Sequence, residues 1–474
     1  MTAIRTAIRT AAAGLALLLA AACAAPTPPR GQATTPSAAC APPHAPPAAE
    51  TATTIDVIEQ AYHCILGNYY SGATLDARAL LTAGFTALTQ ELNRNGRDVP
   101  EAVMPALTGD RKADWAAFET AYRDTTDQVP GLRDTLAETT LEAIVAALGD
   151  NHARWIHDLT RPPDYYDGDG YGLGLQANVN GPQLDGNPGT ALPPLFVTGI
   201  EGGAARAAGL RPGDIIESVN GSAPFIDGRA TPAIAALYPR YPQARPVRLT
   251  LLRQTTGRRW TTTLEPGLYQ RDLATLQVVR SQLLDDVAYV RMTGFAPDSA
   301  NRALKAITRM RTGRTLAGVV LDLRGNGGGS PVEAIRLLSA FTHGKATAHQ
   351  CDADGTCATD WTDDTVDLLN LPLAVLTDRG CASACEHVSS AVKDLRLGLL
   401  VGTRTAGVIS GPARPYLLAD NTLLSFPARH HLGPNRQMID KIGVPPDHHV
   451  PLTPRDAAAG RDPALAKALA LLHT

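Results

Sequence analysis

Residues Val319 to Gly329 read V-V-L-D-L-R-G-N-G-G-G. The stretch from Gly318 to Leu323 predicts a buried strand, because strands covered on both faces read as near-continuous apolar runs. It stops in glycine, and Ile335 to Phe341 then follows a helical pattern. The glycines therefore sit at a strand-to-helix junction, where sites collect in α/β folds. Glycine lets the backbone come close to a reacting oxygen and aim N–H donors at it. A phosphate cradle is the rival, but the G-x-x-x-x-G-K-[ST] pattern is missing. A tight turn without chemistry is the plain alternative.

Downstream, Leu373 to Thr377 predicts a second strand, followed by Gly380 to Ser390, G-C-A-S-A-C-E-H-V-S-S. Ser383 lies where the strand gives way to a helix. Such a junction exposes a hydroxyl, and the helix N-terminus stabilises developing negative charge. The competing role for Ser383 is a helix N-cap. Val287 to Val290 and Leu397 to Val401 add strands, and Ala300, Leu304, Ile307 and Met310 mark a helical face. From Leu273 onward the chain has α/β texture.

Upstream the periodicity is helical. Thr53 to Tyr70, Asp76 to Leu92 and Leu132 to Leu148 predict three helices, with Gly149 closing the last. From Tyr171 short strands and turns take over. The string Ala204-Ala205 through Ala208-Gly209-Leu210, Pro212-Gly213-Asp214-Ile215-Ile216 and Val219-Asn220-Gly221 resembles a PDZ domain. That resemblance implies an extended peptide added to a sheet edge. Its terminal carboxylate would be held by the loop Gly172, Leu173, Gly174 and Leu175.

The chain has 474 residues, 44% of them hydrophobic, and a net charge of −3. No basic excess points to nucleic acid. Arg5 and Arg9 precede the apolar run Ala11 to Ala22, which is too short to span a bilayer and reads as a signal peptide. The run ends at Cys23, and the segment resembles a bacterial lipobox, which implies export and lipidation of Cys23. Ala24 to Ala49, rich in Pro, Ala and Thr, reads as a tether. Six cysteines remain after Cys23. Cys351 and Cys357 bracket a polar turn and are expected to pair in an oxidising compartment. Cys40 and Cys64 are candidates to tie the tether to the first helix. Cys381 and Cys385, four apart, suit a bridge poorly inside a helix and read as small thiols packed around Ser383. No C-x-x-C pair suggests zinc.

The glycine run, followed by a strand and Gly380-Cys381-Ala382-Ser383-Ala384-Cys385-Glu386, resembles the S41 family of serine peptidases. By that resemblance Ser383 is the nucleophile. The N–H of Ala384, with one from Gly327 or Gly328, forms the oxyanion hole. The Ser–Lys branch of the family carries a lysine in a G-x-x-T-x-G-K segment, but here Gly402 to Val408 ends in valine. The chain is thus more similar to the retinoid-binding-protein-like and tricorn-core branch. That likeness implies His152, in Leu148-Gly149-Asp150-Asn151-His152-Ala153, as the base, a role that suits a neutral imidazole. It implies Asp440, in Asp440-Lys441-Ile442-Gly443-Val444, as the orienting acid. His387, Lys393 and Lys441 are weaker candidates for the base.

The expected architecture is multidomain α+β and α/β. It comprises a lipoprotein-type signal peptide (1–23), a tether (24–52), an N-terminal helical bundle (53–160), an inserted PDZ domain (168–267) and an S41 α/β catalytic domain of the ClpP/crotonase-like type (268–474). The expected activity is that of an exported, lipid-anchored serine endopeptidase acting on peptides or proteins. It implies no cofactor, metal or nucleic acid and leaves oligomerisation open. The alternatives are a non-catalytic peptide or apolar-ligand binder on the same fold, and a Ser–Lys enzyme with a displaced lysine.

Overall fold

A computed structural model describes residues 40–43, 49–157, 161–179, 192–272 and 276–473. The expected signal peptide, Cys23, and residues 24–39 and 44–48 of the tether lie outside the described residues.

The apolar run Gly318–Asp322 is the third strand of a six-stranded sheet. The order is Val279–Leu284, Val287–Met292, Gly318–Asp322, Leu373–Thr377, Leu399–Gly402 and His448–His449. The first pair is antiparallel and all later pairs are parallel. Every residue of Gly318–Asp322 and of Leu373–Thr377 is buried, which explains why neither shows polar alternation. Their side chains still alternate between faces. Val319, Leu321 and Val375 pack with the helices Ser299–Arg311, Pro331–Ser339 and Ala384–Asp394. Val320, Ala374 and Leu376 pack with Ala464 and Ala468 of the helix Pro463–Leu472.

The two charged residues of the run are spent on holding the strand end. Asp322 is fully buried and accepts from Tyr289 Oη at 2.7 Å, Arg291 Nη1 at 3.0 Å and Arg324 Nη2 at 2.6 Å. Arg324 also reaches Asp462 Oδ2 at 2.7 Å. Burial alone would raise the Asp322 carboxyl, but the guanidinium and phenol donors more than offset it and bring it down to about 2.

Among the described residues, four helices precede the first strand, at Ile55–Asn68, Ala77–Arg94, Arg111–Thr126 and Arg133–Ala146. Three were expected. Arg111–Thr126 escapes the hydrophobic pattern because its buried stripe is mainly the three aromatic residues Trp115, Phe118 and Tyr122. Its one clear sequence signal is Asp110, whose carboxylate caps Lys112 N and Ala113 N. The helices do not close a core by themselves. Tyr416, Leu418, Leu424 and Phe426, from the strands Ala413–Leu417 and Leu423–Pro427 and their link, complete it. The short strand Arg154–Ile156 pairs with Leu423–Pro427, with Trp155 opposite Leu424. This pairing carries the His152 segment to the later part of the chain.

The tether expectation needs correction for residues 40–43 and 49–52. Cys40 is buried and bonded to Cys64, Ala41 bridges to Leu417, and Thr51 N–H donates to the Asp420 carbonyl at 2.9 Å. The described residues within 169–179 and 192–270 form small antiparallel sheets around Leu173, Val197, Ile216 and Leu249. Cys351 and Cys357 are bonded across the strands Ala346–Cys351 and Cys357–Trp361, as their spacing suggested.

Removing one partner from a buried ion pair leaves the other uncompensated, at a cost of about 3–5 kcal/mol. Arg324→Leu is therefore expected to lower unfolding free energy by about 3 kcal/mol at pH 7, read by denaturant titration. Arg336→Leu breaks an exposed pair with Asp363 and should cost less than about 1 kcal/mol. Because the Asp322 value is depressed when folded, its contribution is present above the unfolded value of 3.8 and is lost as pH falls toward about 2.

Candidate active site

Ser383 immediately precedes the helix Ala384–Asp394 and has φ 55 and ψ −122. For a residue with a Cβ this is left-handed backbone, which costs about 1–2 kcal/mol. Its side chain makes no capping hydrogen bond, so the N-cap role does not account for it. The corner is held by backbone instead. Ser383 N–H donates to the Val408 carbonyl at 2.8 Å, and Ala382 N–H donates to the Asn326 carbonyl at 3.0 Å.

The glycine run packs directly against this corner. A methyl group on Gly328 would lie 2.6 Å from Ser383 Cβ, 2.8 Å from the Ala382 oxygen and 3.0 Å from Ala384 N. Gly328 also has φ +101. Both facts explain glycine at this position. The expected donor role is corrected, however, because Gly328 N–H is already spent on Asn326 Oδ1 at 2.9 Å. Among the described residues the N–H groups of Gly327 and Ala384 have no acceptor, and Gly327 is exposed. Asp378 ties the two turns together, accepting from Gly325 N at 2.8 Å and Gly380 N at 2.9 Å.

His152 lies in the turn after the fourth helix. Asp150 fixes that turn, accepting from His152 N at 2.8 Å, Tyr69 Oη at 2.9 Å and Ser410 Oγ at 3.3 Å. The imidazole Nδ1 lies 2.6 Å from Asn151 Oδ1. Asn151 Nδ2 in turn donates to Asp440 Oδ1 at 2.9 Å. With its N–H₂ committed to the carboxylate, the amide presents oxygen to the ring. The ring then donates from Nδ1 and keeps its lone pair on Nε2. Asp440 thus meets the Asn151 amide, a bridge that the sequence reading left out.

Two of the weaker candidates are engaged elsewhere. His387 turns inward to Thr347 Oγ1 at 3.0 Å, and burial pushes its pKa down to about 4. Lys393 pairs with Asp447 at 2.5 Å. Lys441 Nζ lies 3.8 Å from where a Cβ on Gly149 would sit. Val408, at the position of the family lysine, is half-buried against Ala382 and Ala406.

Two features of this region were missed from sequence. Glu386 is fully buried and accepts from Thr405 Oγ1 at 2.5 Å, Gly407 N at 2.7 Å and Val408 N at 2.8 Å. Burial raises its carboxyl to about 7, and the three donors only partly oppose this. The glutamate was visible in the motif, but its partners lie about twenty residues on. The second feature corrects the reading of Cys381 and Cys385 as free thiols. They are bonded, with Cα atoms 5.4 Å apart. A helix would keep i and i+4 side chains about 5–6 Å apart at Cβ, too far for a disulfide. Here the helix starts at Ala384, so the two cysteines are not on one helix.

A serine at positive φ on a strand-to-helix corner, packed against a glycine turn at the ends of parallel strands, is an arrangement that exposes a hydroxyl for nucleophilic chemistry. Residues 286–450 match the model of peptidase family S41. The chain is 29% identical over 304 residues to carboxyl-terminal-processing peptidase 2, chloroplastic, of Arabidopsis thaliana, an overlap of 61% of this chain and 55% of that protein. It is 28% identical over 334 residues to the carboxyl-terminal-processing protease of Synechocystis, covering 66% and 70%. The chain thus spans little more than half the length of the Arabidopsis relative. The solved photosystem II D1 C-terminal processing protease shares the fold at TM-score 0.51 and 21% identity, covering 84% of this chain and 93% of that one. Mature CPAF complexed with lactacystin does so at TM-score 0.54 and 12% identity, covering 88% and 97%.

Two measurements probe the corner. Gly328→Ala should destabilise by about 1–3 kcal/mol more than Gly313→Ala, since both sit at positive φ but only Gly328 lacks space. Glu386 has a raised folded value, so its contribution is full below the unfolded 4.5 and is lost as pH rises through about 7. Glu386→Gln should flatten that leg of the stability profile; an unchanged slope would contradict the assignment.

Proposed function

We propose that the chain is an exported serine endopeptidase in which Ser383 attacks a peptide carbonyl. The observation that carries this reading is the strained Ser383 corner, with the N–H groups of Gly327 and Ala384 that lack an acceptor among the described residues. Strain of this kind persists where the surrounding structure over-determines it, and it clusters at functional sites. His152 Nε2 takes the Ser383 proton as the nucleophile adds and returns it to the leaving amine. Asp440 acts on His152 through the Asn151 amide, fixing the Nδ1–H tautomer and stabilising the imidazolium that forms. The two N–H groups hold the oxygen as it becomes negative, which removing one such donor elsewhere shows is worth about 10²–10³ in rate. Water then hydrolyses the acyl-enzyme by the same route.

Residues 168–267 act as the peptide-binding PDZ module in this reading. Leu173 and Gly174 have backbone N–H groups without an acceptor among the described residues, as a carboxylate loop requires. The carboxyl-terminal-processing relatives favour chain ends as the feature recognised. Cys23 lipidation would place the enzyme at a membrane surface of the cell envelope.

A fluorophosphonate should label the wild-type chain at Ser383 and leave Ser383→Ala unlabelled. His152→Ala should lower peptide hydrolysis by about 10³-fold or more. Asn151→Ala should lower kcat by about ten-fold or more and shift its pH profile, because the ring loses its tautomer partner. Lys393→Ala and Lys441→Ala should retain activity. Absent labelling with peptide binding retained would instead establish a binding protein; loss of activity in either lysine variant would establish a Ser–Lys enzyme.

A further inference from the structure

The Cys381–Cys385 disulfide closes a loop of three residues whose middle member is Ser383. The other two disulfides lie elsewhere, one joining Cys40 to the first helix and one closing the turn after Ala346–Cys351. We propose that Cys381 and Cys385 are positioning residues for the nucleophile, so that the oxidised clasp holds Ser383 ready and a dithiol reductant switches the site off. This rests on the peptidase reading given above.

The argument is geometric. Residues i and i+4 of a regular helix hold their Cβ atoms about 5–6 Å apart, whereas a disulfide needs about 3.5–4.5 Å. The bond therefore excludes a helical path from Cys381 to Cys385. The chain meets this requirement by passing through φ 55 at Ser383. Ordinary sterics disfavour that conformation for serine, and the helix Ala384–Asp394 offers an obvious relaxation by adding its preceding residues as a further turn. Such a turn would move the Ser383 side chain off Gly328 and draw Ser383 N off the Val408 carbonyl. With the sulfurs joined, this path is closed.

The non-covalent restraints on the corner are backbone hydrogen bonds, including Cys381 N–H to the Asp378 carbonyl at 3.1 Å and Cys385 N–H to the Ala382 carbonyl at 3.0 Å, together with the packing of Gly328 against Ser383. Ser383 N–H and Ala382 N–H each make one backbone bond to a neighbouring loop, and Ala406 N–H donates to the Cys381 carbonyl at 2.9 Å. The clasp is the covalent restraint across the corner itself. The reduced state is also accommodated. Cys385 Sγ lies 3.6 Å from the Leu323 carbonyl and Cys381 Sγ lies 3.5 Å from Ser389 Oγ, so each new S–H has an acceptor in place. Both cysteines are fully buried, so exchange requires local opening of the corner.

The chemistry balances with a dithiol. A thiolate of the reductant attacks one sulfur, and the S–S bond breaks to a mixed disulfide plus one cysteine thiolate. The reductant's second thiol resolves the mixed disulfide. Two electrons and two protons pass to Cys381 and Cys385, and the reductant leaves as its own disulfide.

The test uses the full mature chain and dithiothreitol. Alkylation and mass spectrometry report which cysteines are reduced, and the rate of fluorophosphonate labelling reports Ser383. Hydrogen exchange reports the amides from Ser383 to His387. Once Cys381 and Cys385 become alkylatable, labelling should slow at least ten-fold and exchange at these amides should rise, both reversing on reoxidation. Cys381→Ala/Cys385→Ala should label as slowly without reductant as with it, while Cys351→Ala/Cys357→Ala should behave as wild type. Labelling within two-fold of wild type when Cys381 and Cys385 are reduced would overturn the proposal. So would free thiols at both positions in the freshly exported protein. If the oxidised chain is not labelled at all, the peptidase reading fails. The clasp then stands or falls on the exchange rates alone, and amides unchanged by reduction would refute it.

Discussion

The site depends on one buried carboxylate. Glu386, one turn into the helix that follows Ser383, accepts from Thr405, Gly407 and Val408. Those three donors belong to a loop that has no regular structure of its own. Held by Glu386, the loop returns the Val408 carbonyl to Ser383 N and the Gly407 carbonyl to Lys441 N, next to Asp440. A buried carboxylate with three donors is strongly preferred to one with none, because an unmade hydrogen bond to a buried group has its full desolvation cost. Ser383 and the Asp440 segment are therefore registered through the same loop.

The second constraint is the strain at Ser383. A left-handed serine does not persist by its own preference. It persists here because independent restraints meet at one residue: the Val408 carbonyl, the glycine turn packed against Cβ, and the disulfide on either side. The glycine turn is anchored in turn by the Asp322–Arg324–Asp462 network at the strand end and by Asp378 across to Gly380. Rigid sheet ends carry the loops, and the loops carry the polar groups, which is the usual division of labour in α/β folds.

The His152 turn is positioned by a different route. Its turn follows the fourth helix, and the adjoining strand pairs with Leu423–Pro427. The helices lend one face to the same hairpin. The His152 turn is thus carried to the later part of the chain by a hydrophobic core shared between distant segments, with Asp150 and Asn151 supplying the local polar register.

How much of this is legible in sequence varies with the range of the interaction. Local patterns suffice for the buried strands, whose apolar runs admit little else, and for Ser383 at the start of a helix. They suffice for glycine beside it and for Cys351 with Cys357 across a tight turn. They do not suffice where the partner is far along the chain. The Arg111–Thr126 helix is hidden because aromatic residues pack its face without a repeating aliphatic stripe. The Asn151 bridge is hidden because residue spacing says nothing about which side chain lies between Asp440 and His152. Gly328 looked like a donor because glycine permits close approach, but its N–H turns to Asn326. Cys381 and Cys385 looked unsuited to bonding because an unbroken helix was assumed between them. Sequence by itself determined which residue types stand at the strand-to-helix junctions, since backbone sterics and burial act on neighbours. Only the tertiary structure decided which donors remain open, which carboxylate holds which loop, and which sulfurs meet, since those depend on where distant segments come to rest.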